Sequence, residues 1–406
     1  MLIRFEVENF RSIREPVELS MVAIDDGRAQ ARSIDSLKVS LLPVVGIFGP
    51  NASGKSNVLE AYRWLQRAVQ GSLRDWNQEI PVEPFASDQA RSQDSSFCVE
   101  LVVGGIRHEY LLDVGRDAVS YEALFHYPEG RRRRVFEREG DQMKLQAGLG
   151  SLSGVRELLN SRTLALSAMR KFNEPITRSF INALLPLSGQ AIDMSLRGSA
   201  ESSLTAYLLK SKQDEDGPGL EADRARVLSL LQLADLGVCD LDIQDSEEGT
   251  GFPAVRLVHD LGGVATPFAF AQESQGTKAW YALIGPLMVA LKAGSLFLFD
   301  ELDASLHPTL TVELLRLFGD PKSNPLGAQL VFTSHDTNLL NHLNRDEIWL
   351  TEKRRDGSTR LAALSDFVGK RVRTSSNLER GYLSGRFGAL PDVSKPDVLR
   401  ELGLIG

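Results

Sequence analysis

The sequence predicts an α/β fold built round a mainly parallel sheet, and three stretches carry that expectation. An apolar strand, Val44 to Phe48, enters a glycine-rich loop and leaves it as a helix with Val58, Leu59, Tyr62 and Leu65 on one face. A second apolar strand, inside SLFLFDELDASLHP at 295–308, ends in Asp300 and Glu301. A third, QLVFTSHD at 329–336, ends in Ser334, His335 and Asp336. Open α/β sheets bind their ligands at the carboxyl ends of such strands.

The other elements follow in chain order. Residues 1–135 are strand-rich: Leu2–Val7, Val17–Val22, Phe97–Val103, Tyr110–Val114 and Tyr121–His126 alternate or run apolar, between turns such as Gly104-Gly105 and Pro128-Glu129-Gly130. Over 136–235 the period becomes helical, with Val155, Leu158 and Leu159, then Ile181, Leu184 and Leu185, then Leu204, Tyr207 and Leu208, then Val227, Leu230 and Leu231. That middle stretch reads as a helical insertion, and KSKQDEDGPG at 210–219, apolar only at its proline, is expected as a mobile surface loop. Residues 236–406 return to strands at Ala254–Val258, Ser295–Phe299 and Gln329–Thr333, alternating with helices.

Composition sets outer bounds. The 406 residues would make two or three average domains, and a hydrophobic content of 42% is ample for buried cores. The run Leu37–Phe48 is interrupted by Lys38, Ser40 and Pro43, so it supplies no membrane span, and MLIRFEVENF alternates like a strand instead of forming a signal peptide's apolar core. Cys98 and Cys239 match no metal or redox spacing, which points to the cytoplasm. A net charge of -8 argues against a uniformly basic nucleic-acid binder and leaves room for a local basic patch.

The loop GPNASGKS spans Gly49, Pro50, Asn51, Ala52, Ser53, Gly54, Lys55 and Ser56 and fits G-x-x-x-x-G-K-[ST], with the strand before it and the helix after it that give the pattern meaning. Its glycines let backbone N–H groups wrap an anion at the positive end of the following helix. Lys55 would neutralise the β and γ phosphates of a nucleoside triphosphate, and the Ser56 hydroxyl would ligate Mg2+. Asp300 stands where it would hold the metal through water, and Glu301 where it would orient and deprotonate an attacking water. AQESQGTKAWYALIGPLMVALKAG at 271–294 forms a helix with Ser274, Gly276 and Thr277 at its N-terminus, either a second anion-binding terminus or an ordinary N-cap. His335 would reach the γ phosphate or the attacking water.

Asn9-Phe10-Arg11-Ser12, GPNASGKSN, ESQGTK, FLFDELDASLHP and FTSHD stand in an order that resembles the ABC-type ATPase heads of the RecF, SMC and OLD class, and most of all the small stand-alone bacterial AAA-type ATP-binding proteins associated with phage defence. Asn57 and NLERGYLSGRFGALP at 377–391 are similar to further features of that group. The resemblance implies an ABC-type head, with an antiparallel β lobe beside the parallel core, that takes ATP and Mg2+. It also implies paired heads: the P-loop, Asp300, Glu301 and His335 of one copy would face Ser274, Gly276 and Thr277 of another, with Asp303–Pro308 along the seam, and Arg11 and Asn57 would join the nucleotide site. ESQGTK departs from a Leu-Ser-Gly-Gly-Gln signature, so Ser274 and Gly276 match better than Gln275 and Thr277. The lobe-connecting glutamine has candidates in Gln78 and Gln89, neither of which is assigned.

Three functional classes follow. An ATPase that controls a partner or acts on nucleic acid fits best; Asp240 and Asp242 of DLDIQD at 240–245 read as a strand edge, so a nuclease or other effector would be a separate polypeptide. A transporter subunit is disfavoured by the Asn-Phe-Arg-Ser element and the helical middle. A DNA-repair-type ATPase would need basic surface, for which Arg131–Arg134 and Lys353–Arg355 are candidates, although arginines at a hairpin tip are usually a solvated face.

Overall fold

The structure, a computed structural model, describes residues 1–25, 28–146, 149, 152, 154–185, 204–210, 218–234, 237–244, 254–367 and 378–384. Most of the 210–219 loop, Asp245 and the greater part of the 377–391 segment lie outside the described residues.

The chain begins with β1 (Leu2–Glu8) and β2 (Val17–Ser20), followed by a short ribbon of β3 (Arg32–Ile34) and β4 (Val39–Leu41). Next comes β5 (Val44–Phe48), which the glycine-rich loop joins to α1 (Lys55–Asp75). After a one-turn helix, α2 (Asp88–Arg91), β6 (Ser95–Val103), β7 (Ile106–Val114), β8 (Val119–His126), β9 (Arg133–Glu139) and β10 (Gln142–Leu145) form a meander. With β1 and β2 they make a seven-stranded sheet in the order β10-β9-β8-β7-β6-β1-β2, antiparallel throughout. One face of this sheet packs on α1: Trp64 stacks on Phe97 with centroids 4.7 Å apart, and Phe5 meets Tyr62 edge-on at 5.1 Å.

Helices α3 (Val155–Leu158), α4 (Ala165–Met169) and α5 (Pro175–Leu184) bury Val155, Leu166, Met169, Phe180 and Leu184 in the core of that antiparallel sheet. In contrast, α6 (Leu204–Lys210) and α7 (Pro218–Ala234) place Leu209, Val227 and Leu231 in a second core. The middle third, expected as one helical insertion over 136–235, is therefore divided between two cores, and the boundary at 135 falls inside β9. Arg138 explains that continuation: fully buried, it donates to the carbonyls of Gly140, Asn160 and Thr163 and ties β9 to the chain before α4.

The second half starts with an antiparallel sheet of β11 (Val238–Gln244), β12 (Ala254–Asp260) and β13 (Ala265–Ala269), then α8 (Gln275–Ala293). It continues through β14 (Leu296–Phe299), α9 (Leu302–Ser305), α10 (Pro308–Gly319), β15 (Gln329–Ser334), β16 (Ile348–Lys353), β17 (Thr359–Ala363) and α11 (Leu378–Leu383). The central sheet runs β14-β15-β5-β16-β17, parallel except for β17. All of β5, β14 and β15 is buried, as parallel strands covered on both faces must be. Alternate residues of β5 divide between the cores: Val45 and Ile47 join α1 and the antiparallel sheet, while Val44 and Phe48 join α8 and α10.

Helix α8 contains Pro286, which lacks the N–H to continue the ladder. One residue earlier, Gly285 N donates to Thr205 Oγ1 at 2.8 Å and that hydroxyl donates to Tyr281 O at 2.7 Å, so a side chain from α6 is inserted into the helix's own hydrogen bonding. Among the described residues no helix is long and apolar enough to cross a membrane.

Candidate nucleotide-binding site

The loop after β5 is wound by positive φ angles, 152° at Gly49, 60° at Ala52 and 102° at Gly54. A side chain at Gly54 would collide with its surroundings, since a Cβ there would lie 1.9 Å from Thr359 Oγ1 and 2.9 Å from Ser12 Oγ. Those hydroxyls hold the loop from behind. Thr359 Oγ1 donates to Ser53 O at 2.9 Å and meets Ser12 Oγ at 2.7 Å, and Ser12 Oγ accepts from Asn57 Nδ2 at 2.6 Å. On the adjoining strand, Thr351 Oγ1 lies 2.6 Å from the buried Ser53 hydroxyl and donates to Phe48 O at 3.2 Å. The side chains of Ser53 and Asn57 thus brace the loop, and the Ser53 backbone N–H adds a bond within it, donating to Pro50 O at 3.3 Å.

Lys55 opens α1 and curls back under the loop, donating to Gly49 O at 2.8 Å and Pro50 O at 3.0 Å, with His335 Nδ1 at 3.3 Å. Burial pushes its ammonium pKa down, against the opposing pull of Asp300, Asp303 and Glu301. One residue on, Ser56 Oγ donates to Asp300 Oδ1 at 3.0 Å, so loop and carboxylate strand meet at the hydroxyl and acid expected to share a metal. Thr333 Oγ1 donates to the same Oδ1 at 2.5 Å and accepts from Glu301 N at 2.7 Å. Glu301 is exposed and holds a left-handed backbone, φ 54° and ψ 55°, a conformation that costs a non-glycine residue about 1–2 kcal/mol. Asp303, expected along a seam between heads, accepts from His335 N at 3.1 Å through Oδ1 and so fixes the backbone of His335.

The structure therefore gathers Gly49–Ser56, Asp300, Glu301 and His335 at the carboxyl edge of β5, β14 and β15. Other expected residues sit differently. Arg11 pairs with Glu83 at 2.9 Å and approaches Glu60 at 3.9 Å, ion pairs that engage its guanidinium within the chain. Ser274 is the exposed N-cap of α8, accepting from Thr277 N at 3.1 Å, while Thr277 is buried with its hydroxyl 2.8 Å from Ser274 Oγ. Gly276 has an ordinary φ, and a Cβ there would meet only Ser274 Oγ at 3.8 Å, so nothing in its own chain requires glycine. Among the candidate basic residues, Arg132 lies over Phe125 at 3.6 Å and pairs with Glu109 at 3.1 Å, and Arg134 pairs with Glu137 at 3.3 Å. The sequence motifs assign no role to Thr333, Thr351 or Thr359; only Thr333, a hydroxyl ending the largely apolar run of β15, carries a local signal.

These residues fit a magnesium nucleotide. Ser56 and Asp300 offer hard oxygen ligands, and the wound loop presents backbone N–H groups beside a buried ammonium. Parallel core, antiparallel lobe and site together define a P-loop NTPase with an ABC-type head. The chain belongs to the family described as AAA domain, putative AbiEii toxin, Type IV TA system, which matches residues 44–341. Similar solved structures include an SMC head bound to the C-winged helix domain of ScpA, with a TM-score of 0.46 and 14% identity over 89% of this chain and 97% of that one. They also include the SMC head domain from Thermotoga maritima, with 0.44 and 12% over 89% and 98%. A third is an Smc head domain with an extended coiled coil bound to the C-terminal domain of ScpA derived from Pyrococcus furiosus, with 0.41 and 15% over 90% and 97%. No curated protein matches the chain.

Proposed function

We propose that the protein binds and hydrolyses ATP with Mg2+, and that two copies close on the nucleotides to control a separate effector polypeptide in the cytoplasm. The observation that carries the reading is the convergence of Lys55, Ser56, Asp300 and His335 by direct contact, with the exposed carboxylate of Glu301 beside them. In the triphosphate complex Lys55 would exchange the Gly49 and Pro50 carbonyls for phosphate oxygens, and Ser56 and Asp300 would hold Mg2+. The metal would neutralise phosphate charge. Glu301 would take a proton from the water attacking the γ phosphorus, and His335 would orient that water or the phosphate.

Gly276 supports the paired arrangement. Glycine is a weaker helix former than alanine, and nothing in its own chain needs a glycine at this exposed position. A nucleotide phosphate brought by another copy would use the open backbone beside Ser274. The family's description names a putative toxin of a type IV toxin–antitoxin system, which accords with an ATPase that governs an effector in bacterial anti-phage defence.

The test compares Lys55→Ala with Glu301→Gln. Lys55→Ala should lose nucleotide binding, whereas Glu301→Gln should keep it and slow hydrolysis about 10²–10⁴-fold. Turnover at the normal rate by Glu301→Gln refutes the assignment.

A further inference from the structure

We infer that Thr333 is a positioning residue that sets Asp300 and Glu301 together, an inference that rests on the reading of Glu301 as the group that activates water. The side-chain alternation of β15 sends Val331 into the core under α1 and Leu330 and Phe332 into the opposite core. Two residues past Val331, Thr333 falls on the α1 side, beside the end of β14, where it is wholly buried. A hydroxyl there needs partners. It has one on each acidic residue, donating to Asp300 Oδ1 at 2.5 Å and accepting from Glu301 N at 2.7 Å.

The two bonds act on different things. The first orients the Asp300 carboxylate that also accepts from Ser56. The second holds the peptide N–H of Glu301 while that residue keeps its left-handed backbone, φ 54° and ψ 55°. Relaxation of this peptide would swing the Glu301 side chain, so one buried hydroxyl fixes both the metal-side acid and the direction of its neighbour. Thr333 itself reaches neither phosphate nor water in this scheme; it acts through the two acids.

Thr333→Val keeps the volume and β-branching of the residue and removes only the hydroxyl, whereas Thr333→Ser keeps the hydroxyl. Thr333→Val is expected to lower kcat about 10–100-fold and to raise the Mg2+ concentration for half-maximal rate, as loss of a partner to a metal-binding carboxylate does. ATP affinity measured without turnover should stay unchanged, and Thr333→Ser should recover most of the rate. A strand that needs threonine only for packing would give the reverse order, with valine active and serine impaired. If Thr333→Val does not fold, Thr333→Ala against Thr333→Ser makes the same comparison. The inference is overturned if the variant lacking the hydroxyl shows wild-type kcat and Mg2+ dependence while Glu301→Gln abolishes hydrolysis, or if serine fails to recover the rate. Normal hydrolysis by Glu301→Gln would overturn the underlying reading instead.

Discussion

Gly54→Ala tests how the nucleotide loop is held. At φ 102° an alanine would carry about 1–2 kcal/mol of backbone strain. Its Cβ would also lie 1.9 Å from Thr359 Oγ1, so the hydroxyl must move and give up its bonds to Ser53 O and Ser12 Oγ. At about 1 kcal/mol for each bond, the substitution should destabilise the protein by about 3–4 kcal/mol in all. ATP binding should be lost with the loop geometry. Denaturant unfolding, monitored in the wild type and in a Thr359→Ala background, separates the two contributions. With the hydroxyl bonds already removed, Gly54→Ala should cost only the backbone strain of about 1–2 kcal/mol, so the pair should couple by about 2 kcal/mol. An equal loss in both backgrounds would show that Thr359 does not clamp the loop. A Gly54→Ala protein with unchanged stability and ATP affinity would refute the loop geometry itself.

Two further outcomes are expected. Because Ser274 is proposed to complete another copy's site, mixing Lys55→Ala with Ser274→Arg protein should restore activity in mixed dimers carrying one sound composite site, with cross-linking to verify that the dimers form; activity no greater than that of the separate variants in verified mixed dimers counts against action in trans. His108 and His126, neighbours on β7 and β8 with ring centroids 6.0 Å apart, both have their pKa lowered, chiefly by burial. The unfolded chain, with histidine near 6.5, then binds more protons than the folded one, so stability should fall as pH drops through about 6.5. His108→Phe should shrink the difference between melts at about pH 7.5 and pH 5.5, values chosen to bracket that titration; an unchanged difference would place the acid sensitivity elsewhere.

Much of this architecture is legible because its signals are local. Val44–Phe48, the wound loop and the helix after it lie in one continuous stretch, and the strand with that boundary appears unchanged. The acids at 300 and 301 and the histidine at 335 each follow a buried strand directly, so strand polarity alone brings them to one edge. The middle third was less legible for a different reason. Helical periodicity reports which face of α5 or α7 is apolar and is silent on which core receives it, so Phe180 under the antiparallel sheet and Leu231 beside α8 look alike in sequence. The buried Arg138, which carries β9 past the expected boundary, stands in the sequence among charged neighbours that are exposed or half-buried.

Hydroxyl side chains mark the limit of such reading most clearly. Threonine is an ordinary strand residue, favoured for its branched Cβ, and nothing local distinguishes one that merely fills a pleat from one that bonds across the molecule. Yet Thr351 meets Ser53 across 298 positions of chain, Thr359 meets Ser12 across 347, and Thr333 meets Asp300 from a neighbouring strand across 33. Each contact exists only after the central sheet has set β14, β15, β5, β16 and β17 side by side, so each is a product of topology instead of motif. The motif residues are therefore only half of the site's specification. Gly54 needs a left-handed backbone that glycine allows, but the close approach of Thr359 and Ser12 also excludes any side chain there. The same loop sequence on a sheet without β17 behind it would retain its glycines and lose Thr359, the closer of the two walls that make Gly54 sterically necessary.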